Sequence, residues 1–238
     1  MKKSVHSGTL YLLPNSIGSN EAYFATQRSR DIAVLVKKFI VEDLKSARRL
    51  LRALGYTGQF DDITLEVLNH HTTPDQHDDL FAPLLAGENM AVISEAGVPC
   101  VADPGNVIVA LAHQNEVKIV PLSGPSSIIL ALMASGFNGQ LFTFNGYLPR
   151  ERKDRIKKIR QLEQQSATGH TQIFMDAPYR NAQVLDDILE NSNMNTKLCV
   201  AMNISCQDEF IRTLSITEWH MKKPDVNKKN VMFLMGKS

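Results

Sequence analysis

Two short segments carry the residue types and spacing of ligand-binding loops. The first, ISEAGVPCVADPG, runs from Ile93 to Gly105, and the second, PLSGPSS, runs from Pro121 to Ser127. Each follows an apolar run typical of a buried strand, Met90–Ile93 in the first case and Val117–Val120 in the second. Their small residues would let a ligand approach the backbone, and unpaired N–H groups at the helix starts favour carboxylate or ribose oxygens. The loops therefore predict a small-molecule site at the carboxyl ends of parallel strands.

The chain lacks the motifs of several common site types. It has no G-x-G-x-x-G after the first strand, no G-x-x-x-x-G-K-[ST] and no G-x-S-x-G. Their absence disfavours a dinucleotide dehydrogenase, a P-loop nucleotidase and an α/β-hydrolase. His70, His71 and His77 lie near three aspartates, but adjacent histidines on a strand point to opposite faces and do not easily reach one ion. No metal site is therefore predicted.

Composition indicates an ordinary globular protein. The chain has 238 residues, 43% of them hydrophobic, and its 26 basic and 25 acidic residues give a net charge of +1. This balance gives no global argument for a nucleic-acid or membrane partner. Cys100, Cys199 and Cys206 form no CxxC pair and are expected to be free thiols in a reducing cytosol. No segment approaches the roughly 20 apolar residues of a membrane span, so a soluble cytoplasmic protein is expected.

The first half of the chain alternates strand-like and helix-like segments. The pattern predicts a helix over Leu44–Leu54, and Thr73-Pro74-Asp75-Gln76 is a typical helix start with Thr73 as the N-cap. The run Ile32–Val36 fits either a helix or a strand. Strands are predicted at Thr9–Leu13, Phe39–Val41, Ile63–Leu68, Met90–Ile93 and Val117–Val120, and further helices at Asn106–His113 and from Pro125 to Gly136. This alternation favours a parallel sheet with right-handed crossovers.

From about Phe142 the pattern changes. Lys197–Met202 and Glu209–Leu214 are consecutive strands without a crossover helix, so they are predicted to pair antiparallel. The other predicted elements are strands at Leu141–Phe144, Gln172–Met175 and Val231–Met235 and helices at Arg152–Gln164, Ala182–Leu189 and Thr217–Met221. We therefore predict an α/β protein with two α/β domains. Residues 1–138 would form a mainly parallel sheet and residues 139–238 a mixed one.

Motifs along nearly the whole chain resemble those of the tetrapyrrole (corrin/porphyrin) methylase superfamily. The segment SEAGVPCVADPG is similar to its S-D-A-G-T-P-x-x-x-D-P-G loop, and the most similar branch methylates cytidine 2′-hydroxyls of small-subunit ribosomal RNA. Further matches follow in order from about Leu12 to Gly236: LPNSIG, SGPSS with ASGF (Ala134–Phe137), GYLPR (Gly146–Arg150), and DAPYR (Asp176–Arg180), which resembles E-S-P-H-R. Together these matches are specific, although each alone is not.

The resemblance implies an S-adenosyl-L-methionine cofactor, bound in a cleft between the two domains, and a homodimer. It places backbone groups of the first loop, the second loop and two strand ends of the second domain around the cofactor, with Pro14 beside the acceptor. The implied cofactor-binding residues are Pro14, Glu95, Ala96, Gly97, Val98, Val101, Ser123, Gly124, Ser126, Ser127, Ala177, Met202 and Asn203.

The chain departs from the resembling branch mainly where substrate would be handled. VEDLK (Val41–Lys45) lacks that branch's arginine, LNHHTT (Leu68–Thr73) replaces its H-x-H-N-E, and Val98 replaces a threonine. The expected function is methylation of a ribose 2′-hydroxyl in ribosomal RNA. Two alternatives stay open: a methyltransferase for a tetrapyrrole-like small molecule, and a non-catalytic cofactor-binding protein.

A ribose hydroxyl acceptor would need a proton acceptor within hydrogen-bond reach. The catalytic candidates are Glu42, Asp43, His70 and Glu95. Glu42 and Asp43 follow a predicted strand, where they would face a ligand, but carboxylates at that position also cap helices.

The segment Arg150–Arg160 is strongly basic. It holds seven arginines and lysines against Glu151 and Asp154. Such a run is commonly the solvated face of a surface helix, but it is also typical of a surface that binds RNA phosphates. It is therefore the predicted contact with RNA or the small ribosomal subunit.

Overall fold

A computed structural model describes residues 7–18, 24–69 and 71–237. The chain divides into two compact units, Met1–Ser126 and Ser127–Ser238. Each unit is built around its own five-stranded sheet, as the predicted pair of α/β domains requires. The predicted division at 138/139 remains a prediction, and the helix that follows Ser126 is grouped with the second unit.

The sheet of the first unit is parallel throughout. Its strands are β1 (Thr9–Leu12), β2 (Lys38–Val41), β3 (Thr64–Val67), β4 (Met90–Ile93) and β5 (Lys118–Pro121), in the order β3-β2-β4-β1-β5. Every neighbouring pair is parallel, so all five carboxyl ends lie along one edge. The central strand β4 is buried along its whole length, as expected for a strand covered on both faces.

Four helices link these strands, and local sequence explains where they begin. They are α1 (Gln27–Leu35), α2 (Leu44–Ala53), α3 (Pro74–Leu85) and α4 (Asn106–Gln114). The predicted start of α3 is confirmed, because Thr73 and Gln76 form a capping box around Pro74. The ambiguous run Ile32–Val36 is helical up to Leu35, and Thr26 caps that helix through the N–H of Ser29. Helices on both sides of the sheet bury two apolar clusters.

The second unit has a mixed sheet in the order β6-β7-β10-β8-β9. Its elements are α5 (Ser127–Ser135), β6 (Phe142–Tyr147), α6 (Arg152–Ser166), β7 (Thr171–Met175), α7 (Asn181–Asn191), β8 (Lys197–Met202), β9 (Phe210–Ser215), α8 (Ile216–Lys222) and β10 (Val231–Gly236). Strands β6 and β7 are parallel, and β8 pairs antiparallel with β9 as predicted.

Aromatic residues fill the centre of the second unit. Phe174 of β7 and Phe233 of β10 stack with their ring centroids 5.7 Å apart. Trp219 of α8 is fully buried, and its indole N–H donates to the carbonyl of Leu198 at 2.9 Å. The indole therefore adds a large apolar area to the core without leaving a buried donor unpaired.

The basic segment Arg150–Arg160 is not a uniform solvated surface. Arg155 is buried, with 1% of its side chain exposed, and its Nε donates to Asp187 Oδ2 of α7 at 2.7 Å. Arg152 also pairs with Asp187 at 2.8 Å, and with Glu190 at 2.8 Å. The segment as a whole is predicted to contact RNA, but the side chain of Arg155 joins α6 to α7 inside the protein and is not part of the solvent-exposed surface.

No helix among residues 7–18, 24–69 and 71–237 is long and apolar enough to cross a membrane.

Removal of one partner from the buried pair is expected to destabilise the second unit strongly. Asp187→Ala leaves the guanidinium of Arg155 buried without its carboxylate, which costs about 3–5 kcal/mol. Asp186→Ala is the matched control, because Asp186 pairs with Lys223 at the surface and its loss costs under about 1 kcal/mol. Urea unfolding of both variants measures the difference, and equal losses would contradict the assignment.

Candidate functional site

Four loops of the first unit leave the sheet side by side. In the register of the parallel strands, Leu12 of β1 lies opposite Val92 of β4 and Pro121 of β5, and Val41 of β2 lies opposite Ile93 of β4. The segments after β1, β2, β4 and β5 therefore begin at one edge. This is the edge where the sequence predicted a ligand.

Asn15 joins the loop after β1 to the loop after β4. Its side chain is buried, with 1% of the residue exposed, and its Nδ2 donates to the carbonyls of Ser94 at 3.0 Å and Glu95 at 2.9 Å. Its backbone N–H donates to the carbonyl of Gly97 at 2.8 Å. The N–H of Gly97 in turn donates to the carbonyl of Ser16 at 3.3 Å. The four bonds hold the two loops in one fixed arrangement. Asn15 was not predicted as a site residue.

Glycines let three loops touch at the backbone. Gly97 has φ +71°, and a Cβ there would lie 3.2 Å from the carbonyl oxygen of Pro125. A Cβ on Gly124 would lie 2.1 Å from the Cβ of Pro14, a separation that real carbon atoms do not adopt. The structure thus brings together the predicted residues Pro14, Gly97 and Gly124, and only the absence of side chains at the two glycines permits it.

The loop after β4 has an unusual backbone conformation at and just before its DPG segment, Asp103–Gly105. The backbone N–H of Gly105 donates to Asp103 Oδ1 at 2.7 Å. Cys100 and Ala102 have φ of 68° and 63°, a left-handed region that costs energy for residues with a Cβ. Within the described part of the chain, Asp103 Oδ2 is buried without a hydrogen-bond partner. Asp103 was quoted in the motif but not predicted to have a role.

Cys100 does not act as a nucleophile in this loop. Burial raises the pKa of its thiol to about 12, and the negative charge of Asp103 adds to that effect. The thiol is therefore neutral at physiological pH, whereas the thiolate is the reactive form.

The catalytic candidates have different surroundings. Glu42 follows β2, is half-buried, and its Oε2 accepts the backbone N–H of Glu95 at 2.9 Å. Asp43 caps α2 by accepting the N–H of Ser46 at 2.7 Å. The Glu95 side chain is exposed to solvent. His70 lies outside the described residues.

Glu42 and Asp103 also share a small cavity at the carboxyl ends of β2 and β4. The cavity has a volume of about 10 Å³, and Ser94 and Gly105 contribute to its wall. A space of that size holds about one water molecule. Glu42 and Asp103 therefore both line a small space beside the predicted ligand loops.

The remaining predicted cofactor-binding residues of the first unit belong to the same loops, and their solvent exposure differs. Val98 is half-buried, whereas Val101 is 48% exposed. The other members are Glu95, Ala96 and Ser123, which are exposed, and Ser126, which is half-buried.

The predicted residues of the second unit lie at one edge of its sheet. Met202 at the end of β8 pairs with Val231, and Met175 at the end of β7 pairs with Met232. Ala177 follows β7 by two residues, so Ala177 and Met202 flank the beginning of β10. Asn203 has φ +49°, and its backbone N–H donates to the carbonyl of Asn230 at 2.9 Å. Ser127 is the first residue of α5.

No metal centre is formed by the part of the chain that the structure describes. Within it, no group of three or more His, Cys, Asp or Glu side chains is arranged to hold an ion.

Known proteins resemble the chain both in sequence and in fold. A ribosomal RNA small subunit methyltransferase I from Vibrio cholerae is 31% identical over 98% of this chain and 79% of its own length. One from Halalkalibacterium halodurans is 31% identical over 86% of this chain and 68% of its own. The methyltransferase CobJ superposes with a TM-score of 0.65 at 15% identity, covering 98% of this chain and 95% of its own. The last likeness concerns the fold alone.

A match between the chain and a family model identifies the family to which the chain belongs. The model of the tetrapyrrole (corrin/porphyrin) methylases matches residues 25–219, most of the chain. Its members transfer methyl groups from S-adenosyl-L-methionine, and the matched range holds the loops after β4 and β5. The chain belongs to the tetrapyrrole (corrin/porphyrin) methylase family and is an S-adenosyl-L-methionine-dependent methyltransferase.

Proposed function

We propose that this methyltransferase acts on ribosomal RNA of the small subunit, at the 2′-hydroxyl of a cytidine ribose. The observation that supports the proposal most is the match, over nearly the whole chain, to relatives named ribosomal RNA small subunit methyltransferase I. The convergence of the loops after β1, β4 and β5 supplies a place for the cofactor beside polar groups that suit a hydroxyl acceptor.

The residues present fit the cofactor. Gly97 packs closely on the carbonyl oxygen of Pro125 and Gly124 on the ring of Pro14, and the absence of a side chain at each glycine would let a ligand approach the backbone. We propose that the predicted residues around Gly97 and Gly124 bind S-adenosyl-L-methionine in this way. The cofactor supplies a methyl group activated by a sulfonium centre. The protein has to bind, align the acceptor and exclude water.

Glu42 is the proposed proton acceptor for the ribose hydroxyl. Its carboxylate accepts the N–H of Glu95, and Glu42 lines the same small cavity as Asp103. The carboxylate of Asp43 instead serves as an N-cap. When bound, the cofactor would supply the methyl group for the hydroxyl oxygen. Glu42 would accept the hydroxyl proton at its carboxylate.

The RNA contact is proposed for the cations of Arg150–Arg160 that remain in solvent. Arg150, Lys153 and Lys157 are exposed, and none of them forms an ion pair within residues 7–18, 24–69 and 71–237. Lys153 and Lys157 lie one turn apart on α6, on the same side of the helix. Such a row is suited to phosphate groups spaced along an RNA backbone.

A homodimer is also proposed, and α5 supports it. Ile129 is 44% exposed and Met133 is 73% exposed. The two residues are one helical turn apart, so they present one apolar strip to solvent. Exposed apolar patches of this kind are typical of protein interfaces.

Gly124→Ala is expected to weaken cofactor binding without unfolding the protein. The new methyl group would overlap Pro14, so the loops must separate, and overpacking of this kind corresponds to a loss of about tenfold or more in affinity. The matched control is Gly139→Ala, because a Cβ there meets no atom within 4 Å. Isothermal titration with S-adenosylhomocysteine measures both variants. If the two variants bind S-adenosylhomocysteine with equal affinity, the contact of Gly124 with Pro14 is not part of the proposed cofactor site.

Purified 30S particles are expected to accept a tritiated methyl group from S-adenosyl-L-methionine. Nuclease digestion and mass spectrometry should then show 2′-O-methylcytidine. Glu42→Gln is expected to lower kcat by a factor of about 10² to 10⁴, with cofactor affinity unchanged, because the amide does not accept the proton. Asp43→Asn is the matched control, since asparagine also caps helices.

Two results would contradict this proposal in different ways. Absence of any methyl transfer to 30S particles or free ribosomal RNA would exclude the acceptor. Transfer with full activity in Glu42→Gln would exclude only the proposed base.

Met133→Lys is expected to shift a dimer toward monomer, because it places a charge in the proposed apolar interface. Sedimentation equilibrium of the wild type and the variant measures the mass directly. Lys222→Ala, a change at an exposed residue of α8, serves as the control. A monomeric wild type would overturn the proposal.

A further inference from the structure

Two exposed tyrosines lie at one edge of the second sheet. Strands β6 and β7 are parallel, and Tyr147 of β6 is in register with Met175 of β7. The segments that follow them, 148–150 and 176–180, therefore leave the sheet at the same edge. Tyr147 is 61% exposed and Tyr179 is 70% exposed. Two large aromatic side chains are thus in solvent where two neighbouring strands end.

The backbone that carries Tyr179 is tightly held. Tyr179 is the middle residue of a 3-10 turn, Pro178–Arg180. Arg180 pairs with Asp176 at 3.1 Å and donates to the carbonyl of Pro149 at 2.9 Å. On the other side, the backbone N–H of Lys228 donates to the carbonyl of Pro178 at 3.0 Å. The exposed ring is therefore presented by a fixed turn rather than by a loose loop.

Arg150 adds an exposed positive charge to this edge. Burial raises the pKa of the Asp176 carboxyl, while the N–H of Ala177 and the charges of Arg180, Arg155 and Arg150 act in the opposite direction. Arg150 thus lies within electrostatic reach of Asp176.

The other charges of this cluster largely cancel. Arg180 pairs with Asp176, and Arg155 pairs with Asp187. Arg150 is exposed and forms no ion pair within the described part of the chain, so its charge remains available at the surface. Its nearest acidic neighbour in sequence is Glu151, which is also exposed.

We propose that Tyr179, Tyr147 and Arg150 form a contact for single-stranded RNA. Bases would stack on the tyrosine rings, and the guanidinium of Arg150 would bind the phosphate between them. Stacking on aromatic rings beside arginine is the usual way in which proteins bind unpaired RNA. The exposed cations of α6, Lys153 and Lys157, would extend the contact along the backbone. This inference rests on the proposed function, and it assigns the binding of unpaired RNA to a particular surface of the second unit.

The test uses the full-length protein and a fluorescein-labelled oligocytidylate RNA, with binding followed by fluorescence anisotropy. Tyr179→Ala is expected to weaken binding about tenfold, because one stacked base is lost. Tyr179→Phe keeps the ring and is expected to bind within about twofold of the wild type. Phe142→Ala is the matched control, since Phe142 is 37% exposed at the opposite end of β6.

Arg150→Gln tests the phosphate contact separately. It is expected to reduce the dependence of log affinity on log salt by about 0.7, the value of one phosphate contact on a single strand. Titration with S-adenosylhomocysteine accompanies every variant, because Ala177, two residues before Tyr179, is a predicted cofactor residue. Cofactor affinity is expected to stay unchanged.

Each outcome supports or overturns the inference. The inference would be overturned if Tyr179→Ala bound RNA as tightly as the wild type. It would also be overturned if Phe142→Ala lost as much RNA affinity as Tyr179→Ala. A loss of cofactor affinity in Tyr179→Ala without a loss of RNA affinity would place Tyr179 in the cofactor site instead. If the wild type methylates 30S particles and the variants bind RNA as tightly as the wild type, the proposed function is retained and only this contact is rejected.

Discussion

The loops at the proposed cofactor edge of the first unit depend on one buried side chain. The amide of Asn15 donates to two successive carbonyls, those of Ser94 and Glu95, and its backbone N–H donates to a third, that of Gly97. Buried carbonyls need partners, and loops cannot supply them through a regular ladder. Asn15 supplies them from the neighbouring loop. The close packing of Gly97 on Pro125 and of Gly124 on Pro14 is possible because these loops have little freedom left.

A related constraint acts in the second unit, but there it uses charge. Arg155 and Arg180 both donate to the carbonyl of Pro149. Arg155 is balanced by Asp187, and Arg180 by Asp176. Two internal ion pairs thus fix the segment after β6, which ends at the exposed Arg150. A guanidinium suits this role because its several donors can satisfy a carboxylate and a carbonyl together. The charged residues of this segment therefore include buried ones that support it from inside and an exposed one at its end.

The elements of the fold were predictable because they depend on local patterns. The parallel sheet, the capping box at Thr73 and the antiparallel pair β8–β9 all follow from periodicity and helix-start residues. The role of Asn15 depends on a loop 80 residues away, and no local pattern indicates it. The burial of Arg155 is not predictable from local sequence for a similar reason. Arg155 occupies an inward position of α6 with Ile159 and Leu162, and only its partner Asp187 on α7 explains how a charged side chain is buried there.

The site residues divide by the kind of contact that they offer, and this division explains where the chain departs from its family. In the proposed cofactor site, the loops around Gly97 and Gly124 act through backbone and shape, so Val98 in place of a threonine removes no hydroxyl that the proposal requires. The geometry of these loops tolerates few substitutions, because even a single methyl group at Gly124 has no space. In the proposals above, the acceptor is instead recognised through side chains, such as the carboxylate of Glu42 in the first unit and the ring of Tyr179 in the second. Change is therefore expected to accumulate on the acceptor side while the cofactor loops stay constant. The difference at Val41–Lys45 fits that expectation, since this segment contains Glu42, the proposed proton acceptor.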